Sequence, residues 1–188
     1  PNARLFLLIA LATPPALAAG AALYLLDLVD VLRNPVLIGV MTLVFGLALW
    51  AADRVKRMDI RVETMTYRAA LIIGLAQALA LVPGVSRSGI TMTAARALGF
   101  SRPDAARFSM LISIPLIGAF AAMALLELLT GQGGSANLKD GLIVAALSFV
   151  SALIAIWAMM KWLERASFLP FVIYRLILGA VILMLFLA

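Results

Sequence analysis

The segment PGVSRSGIT, residues 83–91, concentrates polar chemistry within an apolar stretch of the chain. Ser86 and Ser88 supply hydroxyl groups, and Arg87 supplies a permanently charged, forked donor that suits phosphate oxygens. If a helix begins near Ser86, Thr91 shares a face with Ser88. The first N–H groups of such a helix have no partner within it and attract anions. The segment therefore predicts a phosphate-binding site.

The sequence around this segment is apolar enough to lie within a membrane. Of the 188 residues, 65% are hydrophobic and 13% are charged, whereas soluble chains are roughly 45–50% apolar. An arginine at membrane depth costs about 3 kcal/mol or more, so Arg87 is expected to serve a site. The alternative is that Ser86 only caps a helix while Arg87 pairs with a carboxylate. It is less favoured, because a proline, a glycine and two hydroxyl groups accompany this arginine.

The composition restricts the chemistry further. The chain has no cysteine and no histidine, which excludes disulfides, thiolate metal sites and a histidine general base within these residues. The net charge of +6 is assigned to lysines and arginines in cytoplasmic loops. No binding of nucleic acid is expected from it.

Five segments are predicted to cross the membrane as helices, each near the ~20 residues that a crossing needs. They cover residues 5–26, 34–52, 104–128, 140–161 and 167–188. The predicted fold class is therefore all-α: a polytopic membrane helix bundle that forms a single transmembrane domain over residues 1–188.

Residues 69–98 are predicted to form a re-entrant hairpin of two half-helices that is broken at Pro83-Gly84. If this region crossed the membrane once, the basic loops at 53–68 and 96–107 would lie on opposite sides. If it enters and returns, both loops share one side with most of the basic residues. The positive-inside rule favours the hairpin, with entry from the cytoplasmic side.

Residues 74–91, which read GLAQALALVPGVSRSGIT, resemble the second signature of the undecaprenyl-pyrophosphate phosphatase family, the bacitracin-resistance type. Every fixed position of its P-G-x-S-R-S-x-x-T pattern matches, and family-like sequence recurs at residues 51–54, 108–115 and 171–175. The resemblance implies a multi-pass hydrolase of the bacterial inner membrane. This enzyme converts undecaprenyl diphosphate to undecaprenyl phosphate and inorganic phosphate. It thereby recycles the lipid carrier of peptidoglycan synthesis and gives bacitracin resistance.

The resemblance also implies a fold and a site. The fold has two inverted repeats, each with a re-entrant hairpin, and the hairpin tips meet in a cavity open to the periplasm. Arg87, which would hold the diphosphate, and Ser86, which would position phosphate, are predicted to be catalytic. The residues predicted to bind substrate are Ser88, Thr91, Gly84 and Gln77. For Gln77, a hydrogen bond between helices is the alternative.

A divalent cation, Mg²⁺ or Ca²⁺, is the implied cofactor, and no metal ligand is assigned within this chain. The implied partners are the undecaprenyl diphosphate lipid and the bilayer, and a homodimer is left open. The family's first signature, of the form E-G-x-T-E-F-L-P-V-S-S-x-G-H, is absent from this sequence. The chain is therefore expected to be the larger C-terminal part of the inverted-repeat fold and to be inactive alone.

Arg175 interrupts the last predicted span. We expect it to pair with a carboxylate from the half of the fold that is absent from this sequence, with a role in the site as the alternative. Two other functions fit the composition and topology: a secondary transporter, and a membrane subunit that only binds lipid phosphate at the hairpin tip. Within the sequence, only the match to the family signature separates them from a phosphatase.

Overall fold

The computed structural model describes residues 2–28, 31–55, 60–129 and 138–187. Within these ranges the chain forms helices and no β-strand, apart from a single bridge between Ile60 and Phe100. The helices are α1 (Asn2–Ala12), α2 (Pro14–Leu25), α3 (Pro35–Asp53), α4 (Tyr67–Ala78), α5 (Arg87–Ala97), α6 (Arg102–Leu129), α7 (Leu138–Leu163) and α8 (Leu169–Leu187). The α1 and α2 helices follow one another as a single apolar segment.

Five helical segments of the described chain are long and apolar enough to cross a membrane. They are Ala3–Leu25, Pro35–Asp53, Arg102–Leu126, Gly141–Leu163 and Leu169–Leu187. Each predicted span overlaps one of them. The prediction of an all-α, polytopic membrane helix bundle is confirmed.

The starts of α3 and α6 show how side chains in the local sequence determine where a helix begins. Asn34 caps α3, because its Oδ1 accepts a 2.8 Å hydrogen bond from the N–H of Val36, and Pro35 occupies the first helical position. Ser101 and Asp104 cap α6: the N–H of Asp104 donates to Ser101 Oγ at 3.2 Å, and that hydroxyl donates to the Asp104 carboxylate.

The α4 and α5 helices form the re-entrant hairpin. They contain 12 and 11 residues, or about 16–18 Å at 1.5 Å per residue, which is little more than half of a ~30 Å hydrocarbon core. The N–H of Ile60, before α4, donates to the carbonyl of Gly99 at 3.4 Å, and the N–H of Ser101 donates to the carbonyl of Ile60 at 3.3 Å. The chain therefore leaves the hairpin on the side where it entered.

Ion pairs join several helix ends on that side. Asp53, the last residue of α3, accepts hydrogen bonds from Arg102 Nε at 2.7 Å and from Arg96 Nε at 3.2 Å. Its second carboxylate oxygen accepts from the N–H of Phe168, just before α8, at 3.3 Å. Arg96 is only 1% exposed. One carboxylate, only 10% exposed, thus joins the ends of α3 and α5 to the starts of α6 and α8.

We call this side of the bundle the basic face. Arg4, at the start of α1, reaches it by donating to the carbonyls of Glu63 and Met65 at 2.8 and 2.7 Å. Its described basic residues are Arg4, Arg54, Arg61, Arg68, Arg96, Arg102, Arg107, Lys161 and Arg165. Lys56 and Arg57, from the same predicted loop, lie outside the described residues.

Small residues let α3 and α8 pack closely. A Cβ on Gly179 of α8 would lie 2.8 Å from Leu43 Cγ and 3.0 Å from the carbonyl oxygen of Gly39. A Cβ on Gly46 of α3 would lie 3.3 Å from the Cβ of Arg175. Glycine at such positions allows close backbone approach between membrane helices. This packing brings Arg175 against the middle of α3.

Candidate anion-binding site

The hairpin tip is a short non-helical break between the 3₁₀ turn Leu79–Leu81 and α5. Gly84 has φ +93°, and Ser86 has φ +69°. A Cβ on Gly84 would overlap the carbonyl of Ile38 in α3, so the break requires glycine at this position. Ser86 holds a conformation that costs a non-glycine residue about 1–3 kcal/mol, and such strain gathers at functional sites.

The start of α5 faces this break. Ser86 caps the helix: its Oγ accepts a hydrogen bond from the N–H of Gly89 at 3.3 Å, and its carbonyl accepts one from the N–H of Ile90 at 3.0 Å. The N–H groups of Arg87 and Ser88 lie in the first turn, where the helix offers them no carbonyl. The positive end of the α5 dipole therefore points toward the break, as an anion site needs.

Arg175 of α8 packs against the same break. Its Nη2 donates to the carbonyl of Gly84 at 2.7 Å and to the carbonyl of Thr42 at 3.4 Å. The residue is 9% exposed, and its buried Nε has no hydrogen-bond partner among the described residues. None of the described carboxylates pairs with it, and the expected pairing with a carboxylate outside this sequence stays a prediction. The guanidinium instead joins the hairpin tip to α3 through backbone carbonyls.

A cavity of about 520 Å³ opens beside the tip. Its polar lining comes from Thr42, Gly84, Ser86, Ser88, Gly89, Tyr174 and Arg175, and its apolar lining from Ile38, Leu49, Met92, Met159, Phe168, Phe171, Leu178 and Ile182. Cationic and hydroxyl groups at one part of an otherwise apolar cavity suit an amphiphile with an anionic head and a hydrocarbon chain.

The tip lies deep in the bundle. It contacts α3 at Ile38 and Thr42, which lie about 16–22 Å along the helix from Asp53 at 1.5 Å per residue. The hydrocarbon core of a bilayer is about 30 Å thick. Measured along α3 from the basic face, the hairpin tip is therefore set back by more than half of that thickness.

Three of the predicted site residues line this cavity: Gly84, Ser86 and Ser88. Arg87 begins α5 but is not part of the lining. It is half-buried, and its Nη1 is fully buried with no hydrogen-bond partner among the described residues. The backbone N–H of Arg87 lies in the first turn of α5, at the break, whereas its guanidinium does not line the cavity. The catalytic assignment of Arg87 stays a prediction.

The other two predicted site residues lie away from the cavity lining. Thr91 is 0% exposed. Its hydroxyl forms a 2.7 Å hydrogen bond with Ser109 Oγ of α6 and donates to the carbonyl of Arg87 at 2.9 Å. Gln77 is 1% exposed, and neither of its amide atoms has a partner among the described residues. The substrate-binding roles of both residues remain predictions.

The residues that the structure describes do not by themselves fit a divalent cation. They contain no group of three or more His, Cys, Asp or Glu side chains placed to hold a metal ion. No carboxylate lines the cavity, and its charged group is the cation Arg175. Three of the described carboxylates, Asp53, Glu63 and Asp104, form their contacts at the basic face.

Comparison with known proteins gives one consistent result. Residues 1–181 match the family model for the bacitracin resistance protein BacA. The chain is 52% identical to an undecaprenyl-diphosphatase of Maricaulis maris (strain MCS10), over 99% of this chain and 70% of that protein. It is 49% identical to an undecaprenyl-diphosphatase of Ruegeria pomeroyi, over 97% of this chain and 68% of that protein. It is 48% identical to undecaprenyl-diphosphatase 1 of Rhodospirillum rubrum, over 97% of this chain and 64% of that protein.

Proposed function

The chain belongs to the bacitracin resistance protein BacA family, and we propose that it acts as an undecaprenyl-diphosphatase of the bacterial inner membrane. The reaction consumes one water molecule, breaks the anhydride bond of undecaprenyl diphosphate and leaves undecaprenyl phosphate and inorganic phosphate. One observation in the structure carries the proposal. The start of α5, two serine hydroxyls and Arg175 meet at the tip of a re-entrant hairpin, beside an apolar cavity.

The geometry at the tip fits the electrostatic needs of this reaction. In phosphoryl transfer, charge spreads over the equatorial oxygens of the transferred group, so catalysis is mainly positioning and charge stabilisation. The first N–H groups of α5 and the hydroxyls of Ser86 and Ser88 are donors that the fold holds in place before substrate arrives. Arg87, whose side chain lies outside the cavity lining, keeps its predicted catalytic role as part of this proposal. In this proposal, these groups bind the diphosphate and stabilise its charge.

The apolar walls of the cavity suit the hydrocarbon part of the substrate. Met92, Met159, Phe168 and Leu49 lie toward the basic face, while the polar groups lie at the hairpin tip. A lipid diphosphate bound with its head at the tip would place its first isoprenoid units along these side chains. Burial of apolar chain there would stabilise the complex by about 0.8 kcal/mol per methylene.

The orientation of the bundle belongs to the same proposal. The basic face carries most of the described lysines and arginines, so the positive-inside rule makes it cytoplasmic. Along α3, the hairpin tip is set back from that face by more than half of the hydrocarbon thickness, so the site opens toward the periplasm. A requirement for Mg²⁺ or Ca²⁺, and assembly as a homodimer, also remain part of the proposal. No step is assigned to the cation, because the described residues do not form a site for it.

A phosphate-release assay in detergent tests the function. We expect the full-length protein to release inorganic phosphate from undecaprenyl diphosphate without any membrane gradient, and to lose this activity when a chelator removes divalent cations. A transporter would instead show substrate flux in vesicles without phosphate release, and a binding subunit would show neither. Activity that persists in chelator would contradict the cation requirement alone.

A further inference from the structure

The guanidinium of Arg175 has more donors than its backbone contacts use. Nη2 alone donates to the carbonyls of Gly84 and Thr42. Nε is buried without a partner among the described residues, and Nη1 has no hydrogen bond to any of them. The single proton of the Thr42 hydroxyl is directed at the carbonyl of Ile38 at 2.7 Å, with the carbonyl of Gly84 farther away at 3.3 Å. The two carbonyl contacts therefore use one of the three guanidinium nitrogens of a charged side chain that is costly at this depth.

One unused donor, Nη1, lies over Gly89, at a position that a side chain there would crowd. A Cβ at this position would lie 3.1 Å from Arg175 Nη1 and 3.3 Å from Ser86 Oγ. Gly89 is not among the residues with positive φ, so the helix itself does not require glycine there. The missing side chain instead leaves a gap, bounded by a guanidinium, a hydroxyl and the first turn of α5.

We propose that Arg175 is a substrate-binding residue and that the gap above Gly89 holds a phosphate group. The carbonyl of Gly84 fixes the guanidinium through Nη2, and Nη1 then donates to a phosphate oxygen beside Ser86 Oγ. Arg175 is nine-tenths buried, lines the cavity and has no carboxylate partner within the described chain. An anionic phosphate supplies the missing counter-charge. The identity of the ligand as a lipid diphosphate rests on the proposed function.

Binding of a non-hydrolysable diphosphate tests this assignment separately from catalysis. Isothermal calorimetry would measure the affinity of the full-length protein in detergent for methylenediphosphonate, with Mg²⁺ present and absent. Because charge-assisted hydrogen bonds are lost, we expect Arg175→Gln to bind about 10- to 100-fold more weakly than the wild type. The matched control is Arg165→Gln, which removes one exposed charge at the basic face and should leave the affinity unchanged.

A second variant separates ligand binding from folding. Gly89→Ala keeps Arg175 and its carbonyl contacts but places a methyl group in the gap. Alanine favours the helical conformation, so the melting temperature should stay equal or rise while the affinity for methylenediphosphonate falls at least about tenfold. The control is Gly118→Ala in α6, where an added Cβ meets nothing within 4 Å. If Arg175→Gln fails to fold, Gly89→Ala decides the question.

The outcomes separate the two proposals. If the wild type releases no phosphate from undecaprenyl diphosphate, but binds methylenediphosphonate in an Arg175-dependent way, the proposed function fails and this inference stands. If the wild type hydrolyses the lipid and Arg175→Gln retains its KM, the inference is wrong and the function stands. Wild-type affinity for methylenediphosphonate in both Arg175→Gln and Gly89→Ala, or no binding by the wild type, would also overturn the inference.

Discussion

The N–H of Ser101 donates a 3.3 Å hydrogen bond to the carbonyl of Ile60. The first residue follows the α4–α5 hairpin and the second precedes it, so the chain enters and leaves the membrane interior at one place. Both basic loops then share a face, and the tip of the hairpin lies deep between α3 and α8. The position of the candidate site follows from this one relationship.

Cysteine labelling tests the orientation. The chain has no cysteine, so a single introduced cysteine is the only thiol in this chain that a maleimide can label. We expect Leu28→Cys, beyond the far end of α2, to react with a membrane-impermeant maleimide added from the periplasmic side. Arg165→Cys, on the basic face, should react only after the cells are lysed. The opposite labelling pattern would place the basic face outside and contradict the proposed opening of the site.

The sequence allowed the hairpin and the site segment to be predicted, because both depend on local chemistry and on charge counts. Pro83 and Gly84 interrupt the helix, and non-helical backbone at membrane depth occurs only where protein buries it or where it lines a wet cavity. The basic residues in the loops on either side of this region favour a re-entrant hairpin over a single membrane crossing. Ser86 and Ser88 at the start of a half-helix indicate an anion site, and the structure places both in the cavity lining.

The role of Arg175 could not be predicted in this way, because it depends on packing between distant segments. The close approach of Gly179 to Gly39 sets α8 against α3, and only that contact brings the guanidinium to the carbonyl of Gly84. Likewise, the hydrogen bond between the hydroxyl of Thr91 and Ser109 of α6 depends on packing between two helices, which no local sequence pattern indicates. A lone arginine in an apolar span was the one sequence signal for Arg175, and it left a role in the site only as an alternative.

Replacement of Gly84 by alanine is expected to destabilise the hairpin tip. Its φ of +93° alone costs an alanine about 1–2 kcal/mol, and the added methyl would overlap the carbonyl of Ile38. The melting temperature in detergent should fall. Gly141→Ala, where the new Cβ meets nothing within 4 Å, should leave it nearly unchanged. A fully stable Gly84→Ala would show that the break does not need this conformation.

Asp53→Asn should destabilise the bundle strongly. It removes the carboxylate that pairs with Arg96, whose side chain is 2% exposed, and with Arg102 at 2.7 Å. Breaking one partner of a buried ion pair costs about 3–5 kcal/mol. Unfolding of the protein by denaturant in mixed micelles would measure the change in free energy.

The control for that experiment is Glu63→Gln. The Glu63–Arg107 pair is also 2.7 Å long, but its side chains are 57% and 50% exposed. Exposed pairs contribute about 0–1 kcal/mol, so this variant should unfold nearly as the wild type does. Equal destabilisation by both variants would contradict the structural role given to burial of Asp53.

Arg87→Ala should lower the rate of hydrolysis at least about a hundredfold, as expected when a preorganised donor to the transition state is lost. Arg87→Lys should also fail substantially, because a point charge does not replace the forked guanidinium. Arg68→Ala is the matched control, since it removes an arginine at the start of α4, on the basic face and at the opposite end of that helix from the hairpin tip. Wild-type turnover by Arg87→Ala would remove this residue from the catalytic assignment.

The most direct test of the central claim is inorganic phosphate release from undecaprenyl diphosphate by the full-length protein in detergent. Wild type, Arg87→Ala and Arg68→Ala would be measured side by side, each with and without chelator. The account predicts release by the wild type and by Arg68→Ala that requires a divalent cation, and a loss of at least about a hundredfold in Arg87→Ala. No release by the wild type would contradict the phosphatase function and leave the hairpin tip as an anion site of another kind.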